Sequence, residues 1–395
     1  MTLIIKKKYF INFKKISKNS IKVLYRLNKL GYEAYLVGGS IRDLLLKNRP
    51  KDFDISTNAT PNEIQKIFKN CRLIGRRFII AHLFFSNEII EVSTFRTTYT
   101  VNIKKNKNFQ KKNIDGMLLK DNFYGNIEED VYRRDITINA LYYNVKNLCI
   151  YDYVGGLQDL KKKIIRLIGH AETRYREDPV RMLRVIRFSV QFHMKITNKT
   201  AQPLKKLSYL LKNIPISRLF NESIKLLCYG NGYQTYKKLK KYNLIKHLLP
   251  ILFLNIKKKY KIFSKKIIKK AFKKNDLHVL NNKTLNNISF LFSAFLWYLL
   301  VEKIQNYTNI HKLSNTHAYL ISVKKILKKM STMLGIPKNI LHSISKIWKY
   351  QKYIENLHYT KKKNINFVHA LELFNLRMLT EKNNHFKKIL NKWKN

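Results

Sequence analysis

The sequence changes character near residue 174, and this change limits the folds that the chain can adopt. Before that point, short apolar segments typical of strands alternate with helical patterns and glycines. Beyond it helical patterns dominate, punctuated by Pro203, Pro215, Pro250 and Pro337. A single core rarely grows beyond about 250–300 residues, so a chain of 395 residues predicts two or more domains. We therefore expect an α+β protein with an N-terminal mixed α/β head followed by all-helical domains.

Apolar runs, helix caps and glycines predict the elements of the head. In chain order they are a helix over 20–31, a strand at Ala34–Val37, a helix over 40–46, a strand over 53–55, a helix opened by Thr60-Pro61, and strands over 79–85 and 89–95. Residues 97–114 are polar, aperiodic and rich in Lys and Asn, which predicts a mobile surface loop.

The formal net charge of +55 predicts a polyanionic partner, either nucleic acid or an anionic membrane surface. The wealth of Lys, Ile and Asn is typical of an AT-rich genome, so part of this charge is expected to be a solvated lysine surface. The 17 arginines are more informative about function than the lysines, because 15 of them lie between Arg42 and Arg218. Arginine offers a planar fork that suits phosphates and base edges. We expect the chemistry within the first 220 residues.

The remaining composition favours a cytoplasmic protein. Cys71, Cys149 and Cys228 have neither metal-ligand spacing nor the even number of a disulfide framework. The N-terminus lacks the order of a signal peptide. The longest apolar run, 288–301, is too short to span a bilayer and predicts a buried helix, so we expect no transmembrane segment.

Three carboxylates of the head are candidate catalytic and metal-binding groups. Residues i and i+2 of a strand point to one face, so Asp52 and Asp54 are expected side by side. Carboxylates this close repel each other, and a pair of Mg²⁺ ions shared with substrate phosphates would relieve that repulsion. Alternation over 89–95 places Glu91 opposite the apolar face, where it would complete a triad. Taken singly, each also fits a solvated acidic residue.

Gly38 and Gly39 lie where a predicted strand meets a helix. Two glycines let the backbone approach a triphosphate, and a helix N-terminus attracts negative charge. Arg42 follows in the first helical turn, so all three are candidate nucleotide-binding residues. Alone, the pair of glycines also fits an ordinary strand–helix turn.

Asp178-Pro179 is typical of a helix start, with Asp as the cap and Pro in the first turn. Asp178 and Arg181 then share one face. A carboxylate and a guanidinium match the 6-amino donor and the ring N1 acceptor of adenine. Arg184 and Arg187 continue the same stripe and are candidate RNA-binding residues; a solvated face explains them as well.

Four ordered motifs resemble those of class II nucleotidyltransferases, which include tRNA CCA-adding enzymes and bacterial poly(A) polymerases. They are YLVGGSIRDLLL…PKDFDISTNATP, RRDITINALYYN (133–144), DYVGG (152–156) and EDPVRMLRVIRF (177–188). The resemblance runs from about residue 20 almost to the C-terminus. It implies a nucleotidyltransferase head over 1–150, a helical neck and body over 151–270 that recognise the nucleotide and bind RNA, and a helical RNA-binding domain over 271–395.

The same resemblance implies a role for each motif. Asp178 and Arg181 would read the base in place of a template strand. Asp135 and Asn139, four residues apart on what would be one helical face, would act at the ribose, and Arg134 would bind phosphate. Asp52 and Asp54 would hold two Mg²⁺ ions. The implied substrates are ATP and single-stranded RNA 3′ ends; we further expect a monomer that meets the RNA-decay machinery.

The segment 73–83 resembles the one that separates poly(A) polymerases from CCA-adding enzymes, with Ile79 where a basic residue is usual. In it, Gly75 predicts a turn, and Arg76 and Arg77 are candidate RNA-binding residues. We therefore expect template-independent addition of AMP from ATP to RNA 3′ ends with release of pyrophosphate, in RNA processing and decay. A tRNA CCA-adding nucleotidyltransferase and a catalytically inactive RNA-binding protein are the alternatives.

Overall fold

The computed structural model describes residues 4–6, 11–75, 79–97, 123–281, 287–357 and 364–394. The chain divides into two units, residues 1–207 and 208–395. The first contains a mixed sheet and helices, and the described part of the second is helical, which confirms the predicted α+β class. The predicted surface loop lies, apart from residue 97, outside the described residues.

An eight-stranded sheet organises the first unit, in the order β1-β8-β7-β2-β3-β6-β5-β4. Its strands are β1 (Ile4–Lys6), β2 (Ala34–Val37), β3 (Asp54–Thr57), β4 (Cys71–Ile74), β5 (Ile80–Phe84), β6 (Ile89–Thr94), β7 (Leu141–Asn144) and β8 (Cys149–Asp152). Neighbours are antiparallel except β3 and β6, which run parallel with Asp54 beside Glu91. A separate parallel pair joins β9 (Ile164–Ile165) to β10 (Lys195–Ile196).

The described part of the first unit also contains eight helices. They are α1 (Lys18–Lys29), α2 (Gly39–Leu45), α3 (Pro61–Ile67), α4 (Ile127–Arg133), α5 (Gly156–Lys162), α6 (Ala171–Glu177), α7 (Val180–Gln191) and α8 (Asn198–Leu207). The start of α3 follows the predicted chemistry: Thr60 accepts from the backbone N–H of Glu63, and the Glu63 carboxylate accepts from that of Thr60. Gly31, with φ +85°, follows the end of α1 as expected of a helix terminator.

The sheet carries a core on each face. Alternation along β2 sends Leu36 to one core, under α1 and α3, and Tyr35 to the other, which also holds Tyr142. Ile55 of β3 belongs to the first core. Its neighbour Asp54 therefore lies on the second face, where the candidate site forms.

The second unit consists of helices and short 3₁₀ turns in its described residues. The helices are α9 (Ile216–Leu227), α10 (Gly232–Lys241), α11 (Ile245–Leu248), α12 (Lys258–Leu280), α13 (Asn287–Phe295), α14 (Trp297–Asn309), α15 (Asn315–Leu334), α16 (Lys338–Glu355), α17 (Ile365–Glu381) and α18 (Asn384–Lys394). By length and composition, none of the described helices spans a membrane alone; only the bent pair Ile288–Phe295 and Trp297–Asn309, at 46°, passes that test.

Two sequence expectations about secondary structure differ from the structure. The strand expected to carry both aspartates begins only at Asp54, so Asp52 lies just before β3, although its charge still acts on Asp54. Asp135 and Asn139 do not share a helix either: α4 ends at Arg133 and a 3₁₀ turn spans Thr137–Asn139. The predicted domain borders at 150 and 270 fall inside β8 and α12, and the division into three domains stays a prediction.

Candidate active site

The connection between β2 and α2 gathers site residues that are far apart in sequence. Gly38 has φ +72° and ψ −131°, a conformation that favours glycine. A Cβ atom at Gly38 would lie 3.4 Å from Arg134 Nη1, 3.9 Å from Asp54 Oδ2 and 4.0 Å from the carbonyl oxygen of Asn139. Since those atoms come from three other segments, the fold brings the predicted glycine turn, carboxylate and arginine to one place.

Asp54 and Glu91 form a carboxylate pair across the parallel strands β3 and β6. Burial of Asp54, together with the charges of Glu91 and Asp52, raises its pKa to about 6, and the charge of Arg134 opposes this shift. Glu91 is exposed and lies 3.6 Å from His82 Nε2. Within the described ranges, no three His, Cys, Asp or Glu side chains are arranged to hold a metal ion by themselves.

Arg134 is held in place by groups that the sequence did not single out. Its Nε donates to the Tyr142 hydroxyl at 2.7 Å, and its Nη2 donates to Asp130 Oδ2 at 3.0 Å and Ser56 Oγ at 3.2 Å. Asp130 is fully buried. Burial alone would raise the pKa of Asp130, but Arg134 and Arg133 hold it at about 2, so this carboxylate is charged at neutral pH.

Arg42 is buried and engaged by the protein. Its Nη1 donates to Asn139 Oδ1 at 2.5 Å, and its Nε and Nη2 donate to Asp43 at 2.9 and 2.8 Å. The guanidinium also lies over the Phe192 ring, 4.4 Å from its centroid, and over that of Phe188 at 5.2 Å. Arg42, which the sequence predicted to bind the nucleotide, therefore links α2 to the 3₁₀ turn at Asn139 and to α7.

Asp135 and Asn139 do come together, although not by helical spacing. Asn139 Nδ2 donates to Asp135 Oδ1 at 3.4 Å, and Arg184 Nε donates to Asp135 Oδ2 at 2.5 Å. Burial alone would raise the pKa of Asp135, but Arg184 holds it far below its ordinary range. Arg187 lies over the Phe188 ring at 4.7 Å. Both predicted RNA-binding arginines of α7 thus contact the protein itself.

Arg181, one member of the predicted base-reading pair, is held by a third residue, Glu177. Asp178 lies between α6 and α7, and its carboxylate accepts from the backbone N–H of Val180 at 3.2 Å, as expected of a helix cap. Arg181 Nη1 donates to Glu177 Oε2 at 3.0 Å, and Arg174 donates to the same oxygen at 2.7 Å. Burial and the charge of Arg181 lower the pKa of Arg174 to about 10. Glu177 therefore fixes Arg181 next to the cap.

Sequence reasoning missed Asp130, Arg174 and Glu177 as site residues, yet a signal was present. Asp130 precedes Arg134 by four residues, and Arg174 precedes Glu177 by three, which are the spacings of helical ion pairs. The other predicted RNA contacts, Arg76 and Arg77, lie outside the described residues. They belong to the connection between β4 and β5, which pair as far as Ile74 and Ile80.

A glycine turn beside the carboxylates Asp54 and Glu91, with Arg134 held next to the turn by the buried Asp130, is an arrangement suited to phosphoryl transfer. The fold of the first unit and this site define a nucleotidyltransferase. The family model for the poly A polymerase head domain matches residues 34–166, and that for the probable RNA and SrmB-binding site of polymerase A matches residues 193–254.

Relatives extend this match to the whole chain. Poly(A) polymerase I of Salmonella typhi is 43% identical, covering 100% of this chain and 85% of that protein. The Haemophilus influenzae enzyme of the same name is 45% identical over 84% of this chain and 73% of its own length. The chain belongs to the bacterial poly(A) polymerase family. The fold is also that of a Thermotoga maritima CCA-adding enzyme complexed with tRNA, with a TM-score of 0.66 and 21% identity over 100% of this chain and 87% of that one.

Proposed function

We propose that this chain adds AMP from ATP to RNA 3′ ends without a template, releases pyrophosphate, and so promotes RNA processing and decay. The observation that carries the proposal is the 43% identity to poly(A) polymerase I, which extends over the whole chain. It is supported by the site, where Gly38, Asp54 and Arg134 lie side by side. This argues against the inactive RNA-binding protein, since such a protein has no need to keep these three residues together.

The carboxylates near Gly38 fit Mg²⁺. Asp54 is a half-buried acid whose pKa is raised to about 6 by burial and by the charges of Glu91 and Asp52, and a divalent cation would remove that repulsion. Mg²⁺ is usually held by one or two carboxylates plus substrate phosphates, so a third converging protein ligand is not required. We assign Asp52 and Asp54 as ligands and Glu91 as the adjacent catalytic carboxylate. Two such ions, when bound, activate the 3′-hydroxyl and neutralise the leaving pyrophosphate.

The residues around them would position ATP. The backbone of Gly38 and Gly39 approaches the triphosphate, and Arg134 offers it a guanidinium. Asp135 and Asn139 accept from and donate to the ribose hydroxyls. Because Asp43 and Asn139 accept from all three nitrogens of the Arg42 guanidinium, we assign Arg42 to orienting Asn139.

Base recognition would fall to Asp178 and Arg181. Glu177 and the carbonyl oxygen of Arg174, at 3.1 Å, both accept from Arg181 Nη1. These contacts restrict the rotation of Arg181, and a fixed fork favours one base over another. Restricted movement is what an ATP-selective enzyme needs, whereas a CCA-adding enzyme must accept CTP and then ATP.

RNA contacts by Arg76, Arg77, Arg184 and Arg187 stay predictions, as do a monomeric state, a cytoplasmic location and contact with the RNA-decay machinery. Arg184 and Arg187 stack around Phe188, at 5.4 and 4.7 Å from its centroid, so their guanidinium faces are already used. We therefore expect them to meet RNA only through their edges. Sedimentation of the protein with and without RNA would test the monomer.

One assay tests the proposed function. The full chain is incubated with Mg²⁺, an end-labelled RNA and each nucleoside triphosphate singly, and the products are sized. Long ladders with ATP alone, on RNA ending in any base, are expected. Addition of two C and one A to a truncated tRNA, followed by a halt, would show a CCA-adding enzyme with the same fold. Binding of RNA without any extension would show an inactive member of the family.

A further inference from the structure

The guanidinium of Arg134 has two of its three nitrogens occupied and one directed at the glycine turn. Nε and Nη2 donate to Tyr142, Asp130 and Ser56 at 2.7–3.2 Å. Nη1 donates to no group among the described residues, and it lies 3.4 Å from the position of a Cβ on Gly38. The Tyr142 ring also packs against the guanidinium, with 4.9 Å between the arginine Cζ and the ring centroid. The protein thus holds one edge of Arg134 and leaves the other facing Gly38.

Asp130 is the centre of the group that holds that edge. Oδ1 accepts from Arg133 Nε at 2.6 Å and from the backbone N–H of Arg96 at 3.2 Å. Oδ2 accepts from Arg134 Nη2 at 3.0 Å and from the Tyr142 hydroxyl. Four donors therefore meet the roughly four lone-pair sites of one carboxylate, and with 0% exposure it is screened from solvent.

Such an arrangement fixes Arg134 more tightly than one ion pair would. A carboxylate with every acceptor site used cannot rotate without breaking several hydrogen bonds, and a buried charge that loses its partners is costly. A free arginine samples many rotamers, and ordering it on binding ATP would weaken that binding. Because α4 ends at Arg133, Arg134 leaves the helix with extended backbone, and its side chain returns to Asp130.

We propose that Asp130 is a positioning residue for the triphosphate: with Tyr142 and Ser56 it holds Arg134 so that Nη1 faces a phosphate beside Gly38. The inference rests on the proposed function, because it needs a triphosphate at the glycine turn. Asp130 touches no substrate itself and acts through Arg134.

The main variant is Asp130→Asn, which keeps the shape and removes the charge that pairs with Arg134. Mutation of residues that orient metal ligands typically changes activity or affinity by about 10–100-fold, and Asp130 orients Arg134 in the same way. We expect kcat/KM for ATP to fall by about that factor, chiefly through KM, while RNA affinity and the metal dependence are unchanged. Measurements are steady-state kinetics at varied ATP, RNA binding, and the melting temperature.

A double variant separates positioning from a structural role. Arg134→Ala should lose at least as much activity as Asp130→Asn and should melt lower, since it strands a buried carboxylate. Adding Asp130→Asn to Arg134→Ala should cost no further activity and should recover stability. If the two activity losses multiply instead, Asp130 does not act through Arg134 and the proposal is wrong.

Two further variants keep the test decisive if Asp130→Asn folds poorly. Tyr142→Phe removes one hydroxyl that contacts both Asp130 and Arg134, and it should raise KM for ATP several-fold in a stable protein. Asp152→Asn is the matched control, because Asp152 is 1% exposed and accepts from the backbone N–H groups of Gly156 and Leu157 at the start of α5. It should lower the melting temperature and leave KM for ATP unchanged.

The result that would overturn the proposal is an unchanged KM for ATP in both Asp130→Asn and Tyr142→Phe, with Arg134→Ala impaired. That outcome leaves the proposed function intact. Absence of ATP-dependent extension by the wild-type chain would instead remove the proposed function itself.

Discussion

The two units of the molecule use charge in different ways. Residues 1–207 contain 41 Lys and Arg against 18 Asp and Glu, whereas residues 208–395 contain 38 against only six. Fifteen of the 17 arginines are in the first unit. Several of those in the described residues meet buried acids, as in the pairs Arg134 with Asp130 and Arg184 with Asp135. Charge in the first unit is therefore used to fix the direction of individual side chains.

In the second unit, each of the six acids has a structural partner. These contacts are Glu222 with Lys225, Asp276 with the N–H groups of Gly232 and Tyr233, Glu302 with that of Lys257, Glu355 with Arg377, Glu372 with His278, and Glu381 with Tyr298. The few acidic residues of the second unit thus form contacts within or between its helices, whereas most of its charged residues are lysines. A polyanion would meet a nearly uniform positive field there, which gives affinity without sequence readout.

The largest expected effect is in the first unit. Asp54→Asn should lower extension by about 1000-fold or more, roughly 4 kcal/mol of transition-state stabilisation, because it removes a proposed metal ligand. RNA affinity should stay near wild type, since the lysines of the second unit are unchanged. Glu33→Gln, an exposed acid of the same unit, is the matched control and should extend normally. Near wild-type extension by Asp54→Asn would sink the assignment of the metal site.

The second effect concerns selectivity. Arg181→Ala should slow AMP addition and reduce the preference for ATP over CTP by about 10–100-fold, because the adenine ring acceptor would lose a partner worth about 1–3 kcal/mol. Arg181→Lys keeps the charge and loses the fork held by Glu177, so it should also lose selectivity. Single-nucleotide competition assays measure both. If Arg181→Lys kept the full preference for ATP over CTP, the positive charge at this position would be sufficient for base recognition.

Arg377 tests whether an arginine in the second unit does the same kind of work. It is buried, lies 4.3 Å from the centroid of the Trp297 ring, and bonds Gln351 at 3.0 Å and Glu355 at 2.6 Å. Arg377→Lys should cost about 1–3 kcal/mol of stability, because lysine has neither the planar face nor the fork. RNA affinity should not change. Lys328→Arg on the surface is the control, and thermal unfolding is the measurement.

The smallest effect should come from the surface lysines. Changing Lys265, Lys269 and Lys273 of α12 together to Gln should weaken RNA binding several-fold at physiological salt. It should also reduce the slope of log K against log salt by about two, since each phosphate contact on a single strand contributes about 0.7. The matched triple change at the exposed Lys14, Lys15 and Lys18 should do less. Equal effects would show that the lysines of the second unit are not special.

Local chemistry in the sequence determined several parts of the site. Strand Ala34–Val37 and the glycine turn at Gly38 were predicted correctly, because each depends on backbone preferences over a few residues. The Asp178 carboxylate accepts from Val180 near the predicted helix start, although α7 itself begins at Val180 after Pro179. Alternation also placed Glu91 on the face opposite the buried side chains of β6. The excess of arginine in the first 220 residues indicated that the candidate site lies in the first unit. Several of these guanidinium groups, however, bind acids of the protein and not phosphates.

Only the tertiary structure decided which groups meet. Asp135 and Asn139 have helical spacing, but Ile136 bridges to Leu167 and the N–H of Thr137 donates to the carbonyl of Arg166, so the backbone takes its hydrogen bonds from a distant segment. A helix over residues 135–139 could not form these hydrogen bonds with Arg166 and Leu167. Likewise Arg181 pairs with Glu177, and Arg42 with Asn139, because burial makes an unpaired charge costly and the nearest acceptor is set by packing. Spacing along the chain tells which residues can be neighbours, and burial decides which of them pair.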